Sequence, residues 1–144
     1  MATKTYDADQ VVLVVAGVPI NSGFSDGEFL RIVNESDSFT DKAGVDGEVT
    51  RSKTNDFRGT ITVILGQTSD HNQLFSTLIN LDRTLPNGGG MFPVSVKDLQ
   101  SQGTVAAGVE AWFVRDPDAA YGRESSDREW TIRVGKLGRF DAGT

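Results

Sequence analysis

Between Ser38 and Thr62 the chain runs through SFTDKAGVDGEVTRSKTNDFRGTIT, a long polar stretch flanked by segments with the composition of β-strands. A connection of this length with so little apolar content has no core of its own to supply. It restricts the fold to one in which a large excursion leaves a sheet and returns to it, and long connections of this kind usually serve a partner. Gly44 and Asp46-Gly47 are its strongest turn signals, because Asp-Gly accepts the positive φ of a tight turn. The simplest drawing is a hairpin with its tip at Gly44 to Gly47. Its return arm, Glu48 to Thr54, has Val49 as its sole aliphatic residue and little to bury alone.

On either side of the excursion the periodicity is that of sheet. Gln10 to Val15 is a β-branched run closed by Gly17 and Pro19, and Glu28 to Val33 follows a turn at Gly23 to Gly27; together they suggest a hairpin. Thr60 to Leu65 alternates threonine with isoleucine and valine and is the clearest strand. A helix begins after Asp70, with Gln73 placed as in a capping box. Leu74, Phe75, Leu78, Leu81 and Leu85 fall on one helical face before Pro86. Beyond the loop Asn87 to Gly90, Phe92 to Leu99 points Val94 and Val96 inward. The segment Gly103 to Arg115 sets Val109, Ala111 and Phe113 against Glu110 and Trp112. In Arg128 to Val134 the residues Trp130, Ile132 and Val134 share a face. The expected fold is mainly β, a sandwich or barrel of seven or eight strands with one amphipathic flanking helix and a long extended hairpin arm. One domain over residues 1–144 is expected, with residues 38–58 as the arm.

Composition removes several classes of function. The formal net charge of −6 disfavours a protein that holds nucleic acid by neutralising phosphates. There is no cysteine, so disulfides and thiolate metal sites are excluded. The N-terminal segment shows no secretory h-region, and the longest apolar run, Val11 to Ala16, is too short to span a bilayer, so no membrane anchor is expected.

No pattern of side chains reads as an active site. His71 is the one histidine, and its helical neighbours Ser69 and Ser76 do not make a triad. Gly88 to Gly90 lacks the Lys-Ser or Lys-Thr that completes a phosphate loop. The carboxylate pairs Asp116 with Asp118 and Asp26 with Glu28 fall short of a calcium ligand set. Trp112 and Trp130 could form a stacking platform for a sugar or base, which would make the chain a small β-barrel ligand-binding module, but core or interface aromatics are the commoner use. No catalytic residue, cofactor or metal is expected.

The charge of the polar stretch does carry a pattern. Acids dominate from Glu35 to Glu48, with Asp41 and Asp46 among them and Lys42 as the one base; Arg51, Lys53 and Arg58 dominate the return, with Asp56 as the one acid. A solvated hairpin with self-compensating arms would account for this. So would an arm whose charges, carried by Asp41, Lys42, Asp46, Glu48, Arg51, Lys53, Asp56 and Arg58, set register against a neighbouring subunit.

The run DSFTDKAGVDGEVTRSKTNDFRGTITVILGQTS, with HNQLFSTLINLD and FPVSVKDL after it, resembles the tail tube proteins of contractile-tailed bacteriophages, and Gly47 to Asp56 is its most specific part. That resemblance implies a virion structural protein whose barrel-like subunits assemble as hexameric rings stacked into a hollow tube that delivers DNA. Type VI secretion and R-type pyocin inner tubes are related in fold, and a component of such an apparatus is the alternative. The implied partners are other copies of the chain, then sheath, tape measure and baseplate proteins, with DNA as non-specifically transported cargo. The implied location is the virion tail, after assembly in the host cytoplasm.

Overall fold

The computed structural model describes residues 3–100 and 103–140. Residues 1–2, 101–102 and 141–144 of the expected 1–144 unit lie outside the described residues. A 3-10 turn at Ala8–Gln10 leads into β1 (Val11–Val15), and β2 (Val18–Ile20) follows at once. The hinge is Ala16-Gly17, with φ of 52° and 83°, the two left-handed residues of a two-residue hairpin turn. Val15 therefore pairs with Val18, and β1 is in hairpin with β2, not with the Glu28 to Val33 segment as the sequence suggests. Pro19 sits in β2, on the outer strand of the sheet, where its missing N–H breaks no ladder.

The segment expected to complete that hairpin becomes β3 (Leu30–Asn34) at the far edge of the same sheet, paired with β6 (Gly59–Gly66). Between them lie β4 (Phe39–Ala43) and β5 (Val49–Lys53), a separate two-stranded sheet. The remaining elements are α1 (His71–Thr84), β7 (Phe92–Asp98), β8 (Gly103–Phe113), β9 (Asp127–Val134) and the short β10 (Gly138–Arg139). The main sheet is antiparallel, in the order β2-β1-β7-β8-β9-β6-β3, with β10 also paired to β8.

One face of this sheet closes around a single apolar cluster, giving the barrel-like form. Leu13 and Val15 of β1, Val94 and Val96 of β7, Ile61, Val63 and Leu65 of β6, and Trp130, Ile132 and Val134 of β9 all point into it. Helix α1 adds Phe75 and Ile79. The helical stripe is thus shifted from the expected one: Ile79 is buried, whereas Leu81 and Leu85 are exposed. Phe75 packs with Phe113 (ring centroids 4.9 Å apart) and edge-on with Trp130 (5.5 Å), the arrangement that aromatic quadrupoles favour.

The start of α1 is not held by a capping box. Asp70 is itself helical and makes no side-chain cap. Ser69 Oγ accepts from His71 N instead (3.3 Å), and Asn72 ties the preceding loop: its Nδ2 donates to the carbonyls of Gly66 (3.0 Å), Gln67 (3.3 Å) and Ser69 (3.1 Å), and its Oδ1 accepts from buried Trp130 Nε1 (2.9 Å). One amide side chain thereby fixes the loop, the helix start and the indole. Because Trp130 is buried in the core, a platform made with Trp112 is ruled out; Trp112 lies opposite Arg133 on the other face of the sheet.

The inward residues of β8 also change parity along the strand. Ala106 is buried, and so are Ala111 and Phe113, but Val109 is 81% exposed, contrary to the simple alternation. The register explains this: Phe92 faces Ala111 while Val94 faces Gly108, so Val109 and Glu110 together stand opposite Pro93. The extra residue is a β-bulge beside a proline that has no N–H to give, and it turns Val109 outward. Only glycine fits at 108, because a Cβ there would lie 2.2 Å from Val134 Cγ1.

Candidate assembly surface

Every residue of β4 and β5 is exposed, as expected of an excursion with nothing to bury alone. The ladder pairs Phe39 with Lys53, Asp41 with Arg51 and Ala43 with Val49, and the even-numbered Thr40 with Ser52 and Lys42 with Thr50. Directly opposed residues share a face, so the arm has two unlike sides. One carries Phe39, Ala43 and Val49 with Asp41, Arg51 and Lys53 among them; the other carries threonines, Ser52 and Lys42.

The tip is built as the turn signals predict. Gly44 N donates to Glu48 O (2.8 Å), Gly47 N donates to Gly44 O (3.0 Å), and the Asp46 carboxylate accepts from Glu48 N (3.1 Å). Gly47 has a φ of 87°, which few residues other than glycine tolerate. Val45 stands fully exposed at the end.

At the root the backbone is tied by Thr54 N to Ser38 O (3.0 Å) and Glu35 N to Arg58 O (3.0 Å). Asp56 is the hub: it accepts from Ser36 Oγ (2.5 Å) and takes a two-pronged contact from Arg58 Nε and Nη2 (2.9 Å each). Hydrogen bonds from the Arg58 side chain, then from Ser36 and the Arg58 amide, hold the Asp56 carboxyl well below the usual carboxylate range. The same contact raises Arg58. Beside this hub Glu35 reaches Arg133 (3.7 Å) and accepts from Thr60 Oγ1.

The eight charged residues singled out in the sequence therefore divide. Asp56 and Arg58 satisfy each other at the root, and Asp46 shapes the tip. Asp41, Lys42, Glu48, Arg51 and Lys53 remain exposed along the ladder, and among the described residues no ion pair joins its two strands. Arg51, although opposite Asp41, lies over the Phe39 ring at 4.5 Å from its centroid. Phe39 and Val45 are the residues missed in a reading by charge. Folding the sequence symmetrically about its glycine tip would have put Phe39, Ala43 and Val49 on one side.

Other surfaces matter less or bear on the same use. His71 begins α1, its N–H donating to Ser69 Oγ (3.3 Å), and Asp116 pairs with Arg83 (3.0 Å). The main sheet ends at β2 on one side and at β3 on the other. The outer edge of β3 has no proline to blunt it and carries half-exposed Val33.

A family model described as "Bacteriophage PhiTE tail tube protein" matches residues 8–140. The chain belongs to this tail tube family. It is thus a structural protein related to phage tail tubes, in agreement with the resemblance drawn from the run Asp37 to Ser69 and the two segments after it. Consistent with that membership, it is 29% identical over 137 residues to "Structural protein ORF10" of Pseudomonas phage KPP10, covering 92% of this chain and 79% of the relative. The fold is shared with solved structures at far lower identity. A sheath/tube terminator of an extracellular contractile injection system aligns with a TM-score of 0.57 at 10% identity, over 98% of this chain and 100% of that one. A sheath-tube complex chain from such a system aligns at 0.56 and 13%, over 94% and 93%. The anti-feeding prophage tube-terminating cap gives 0.55 and 9%, over 99% and 95%.

Proposed function

We propose that this tail tube family member acts as one domain that self-assembles into hexameric rings, stacked as the hollow inner tube of a contractile tail through which DNA is delivered. The observation that carries the reading is the arm. It is a two-stranded ladder, exposed at every residue, unlike on its two faces and braced at its root by Asp56, Arg58 and Ser36. A free hairpin of this kind has no stability of its own to gain, and bracing it makes sense if it meets another subunit. The charges of Asp41, Lys42, Asp46, Glu48, Arg51 and Lys53 would then select register, with Asp56 and Arg58 setting the angle of departure.

Two further features support a ring. Joining the β2 edge of one copy to the β3 edge of the next would pair strands that otherwise end the sheet, and unlike surfaces meeting under a rotation close into rings. The net charge of −6 suits a wall that passes phosphates without holding them. Sheath, tape measure and baseplate proteins would be the other partners, in a virion tail assembled in the host cytoplasm. The likeness to chains of extracellular contractile injection systems favours a second reading, in which the same tube serves a phage-derived injection apparatus.

Electron microscopy of the purified protein at rising concentration tests the proposal. Rings with six-fold averages and stacked tubes are expected; monomers that persist at every concentration would overturn it.

A further inference from the structure

On the face of the main sheet away from the core lies an open apolar groove of about 1120 Å³. Its floor is a row of small residues brought into line by the register, Ser95 beside Ala107 and Ala107 beside Gly138. Val109, pushed outward by the bulge, and half-exposed Phe57 stand over that floor. Glu110 and Lys136 supply one carboxylate and one ammonium at the rim. No residue of β4 or β5 lines it.

The groove and the arm are each incomplete in the same way. The arm presents Phe39, Ala43 and Val49 on one face with no apolar surface against them, and the groove presents apolar walls with nothing between them. They do not meet within one chain. Phe57, at the arm's root, is itself a wall of the groove, its carbonyl accepting from Leu137 N (2.8 Å). From that root, five residues of strand give the arm a reach of about 16 Å.

We infer that the groove bounded by Val109 and Phe57 receives the Phe39-Val49 face of the arm of a second copy of this chain. Charge supports that occupant. The arm's apolar face carries Asp41 on one strand and Arg51 with Lys53 on the other, and the groove offers Lys136 and Glu110 as opposites of Asp41 and Arg51. The small floor leaves room for a strand to lie flat, and the contact joins two different patches, so it propagates around a ring or along a stack. This inference rests on the reading of the arm as a subunit contact and names the surface it meets.

The absence of native cysteine makes a direct test possible. Two proteins, Val49→Cys and Val109→Cys, are assembled separately and as a mixture, then treated with a short bismaleimide. The expected result is a cross-linked dimer that forms in the mixture and is reduced at least tenfold in either protein alone. A second pair, Ala43→Cys with Ala107→Cys, repeats the test if Val109→Cys fails to fold. Tubes that form with no arm-to-groove product from either pair, or with arm-to-arm product instead, would overturn the inference while leaving the arm a contact of another kind. A wild-type protein that never assembles would overturn the tube reading and this inference with it. As an independent arm, Glu110→Lys and Arg51→Glu should each impair assembly, and their combination should restore it; a combination no better than the worse single change would count against the pairing.

Discussion

Shortening the arm separates its two possible roles. Thr54 N donates to Ser38 O and Gly44 N to Glu48 O, so the alternation of an antiparallel ladder makes Thr40 and Ser52 a hydrogen-bonded pair. Replacing residues 41–51 by Asn-Gly closes the hairpin on that pair with a two-residue turn, and it leaves Ser36, Asp56 and Arg58 untouched. Nothing removed is buried, and a shorter loop costs slightly less entropy to close, so the unfolding free energy should change by no more than about 0.5 kcal/mol. Circular dichroism should then find a melting temperature within about 2 °C of the parent. Assembly is another matter. Val45 and Val49 are lost, and if each buries its side chain against a neighbour at about 1.5 kcal/mol, every contact weakens by about 3 kcal/mol, more than ~100-fold. Sedimentation and electron microscopy should therefore show folded, unassembled protein at concentrations where the parent forms tubes. An unfolded product would mean that the arm is part of the core, and tubes at the parent's concentration would mean that it is not a contact.

Three other outcomes follow from the geometry. Phe75→Ala, which empties the aromatic cluster with Phe113 and Trp130, should cost about 3–5 kcal/mol in urea unfolding, and a loss under about 1.5 kcal/mol would show that the helix is not clamped through this ring. Gly108→Ala should cost about 1–3 kcal/mol because its Cβ meets Val134 Cγ1, and adding Val134→Ala should cost less than the sum of the two single changes; strict additivity would refute the clash. Asp56 has a folded pKa below its unfolded one, so the stability it contributes is fully present above the unfolded value near 3.8 and is lost only as pH falls through the lower folded value. A carboxyl carbon titration by NMR should place its midpoint below 3.8, and Arg58→Ala should move it up; a midpoint unchanged by that substitution would show that the guanidinium is not the cause.

Much of the fold was legible because it rests on local rules. The tip at Gly44 to Gly47 follows from Asp-Gly chemistry, and the inward faces of β7 and β9 follow from period-two alternation. What escaped depends on long-range pairing or on a change of phase. Nothing in Glu28 to Val33 says that it lies at the far edge with β6 as its partner, and Ala16 gives no composition signal for the left-handed turn it makes. Val109 reads as inward until Pro93, distant in sequence, is placed opposite and a bulge intervenes. Helix α1 illustrates the same limit: Asp70 has the right residue type and spacing for a cap, but Ser69 accepts from the first-turn N–H and Asn72 ties the loop to Trp130, which arrives from β9 with an N–H to satisfy. The charge pattern of the arm was legible residue by residue, yet it pointed away from Phe39, the side chain that Arg51 covers.

The chain's charge and its two incomplete surfaces bear on how copies would hold together. Each carries a formal charge of −6, so copies repel at long range, and this repulsion grows with every subunit added while falling off within a Debye length of about 8–10 Å in ordinary salt. Cohesion must then come from contacts made only at touching distance: paired strand edges, buried valines, and charge pairs whose members sit on opposite patches of one surface. Asp41 with Arg51 and Lys53 on the arm and Lys136 with Glu110 at the groove have that arrangement, the groove pair neutral and the arm's face carrying one net positive charge. A chain built this way would stay apart when dilute and would favour association in one orientation, because a misdocked arm would set like charges together and leave the valines in water.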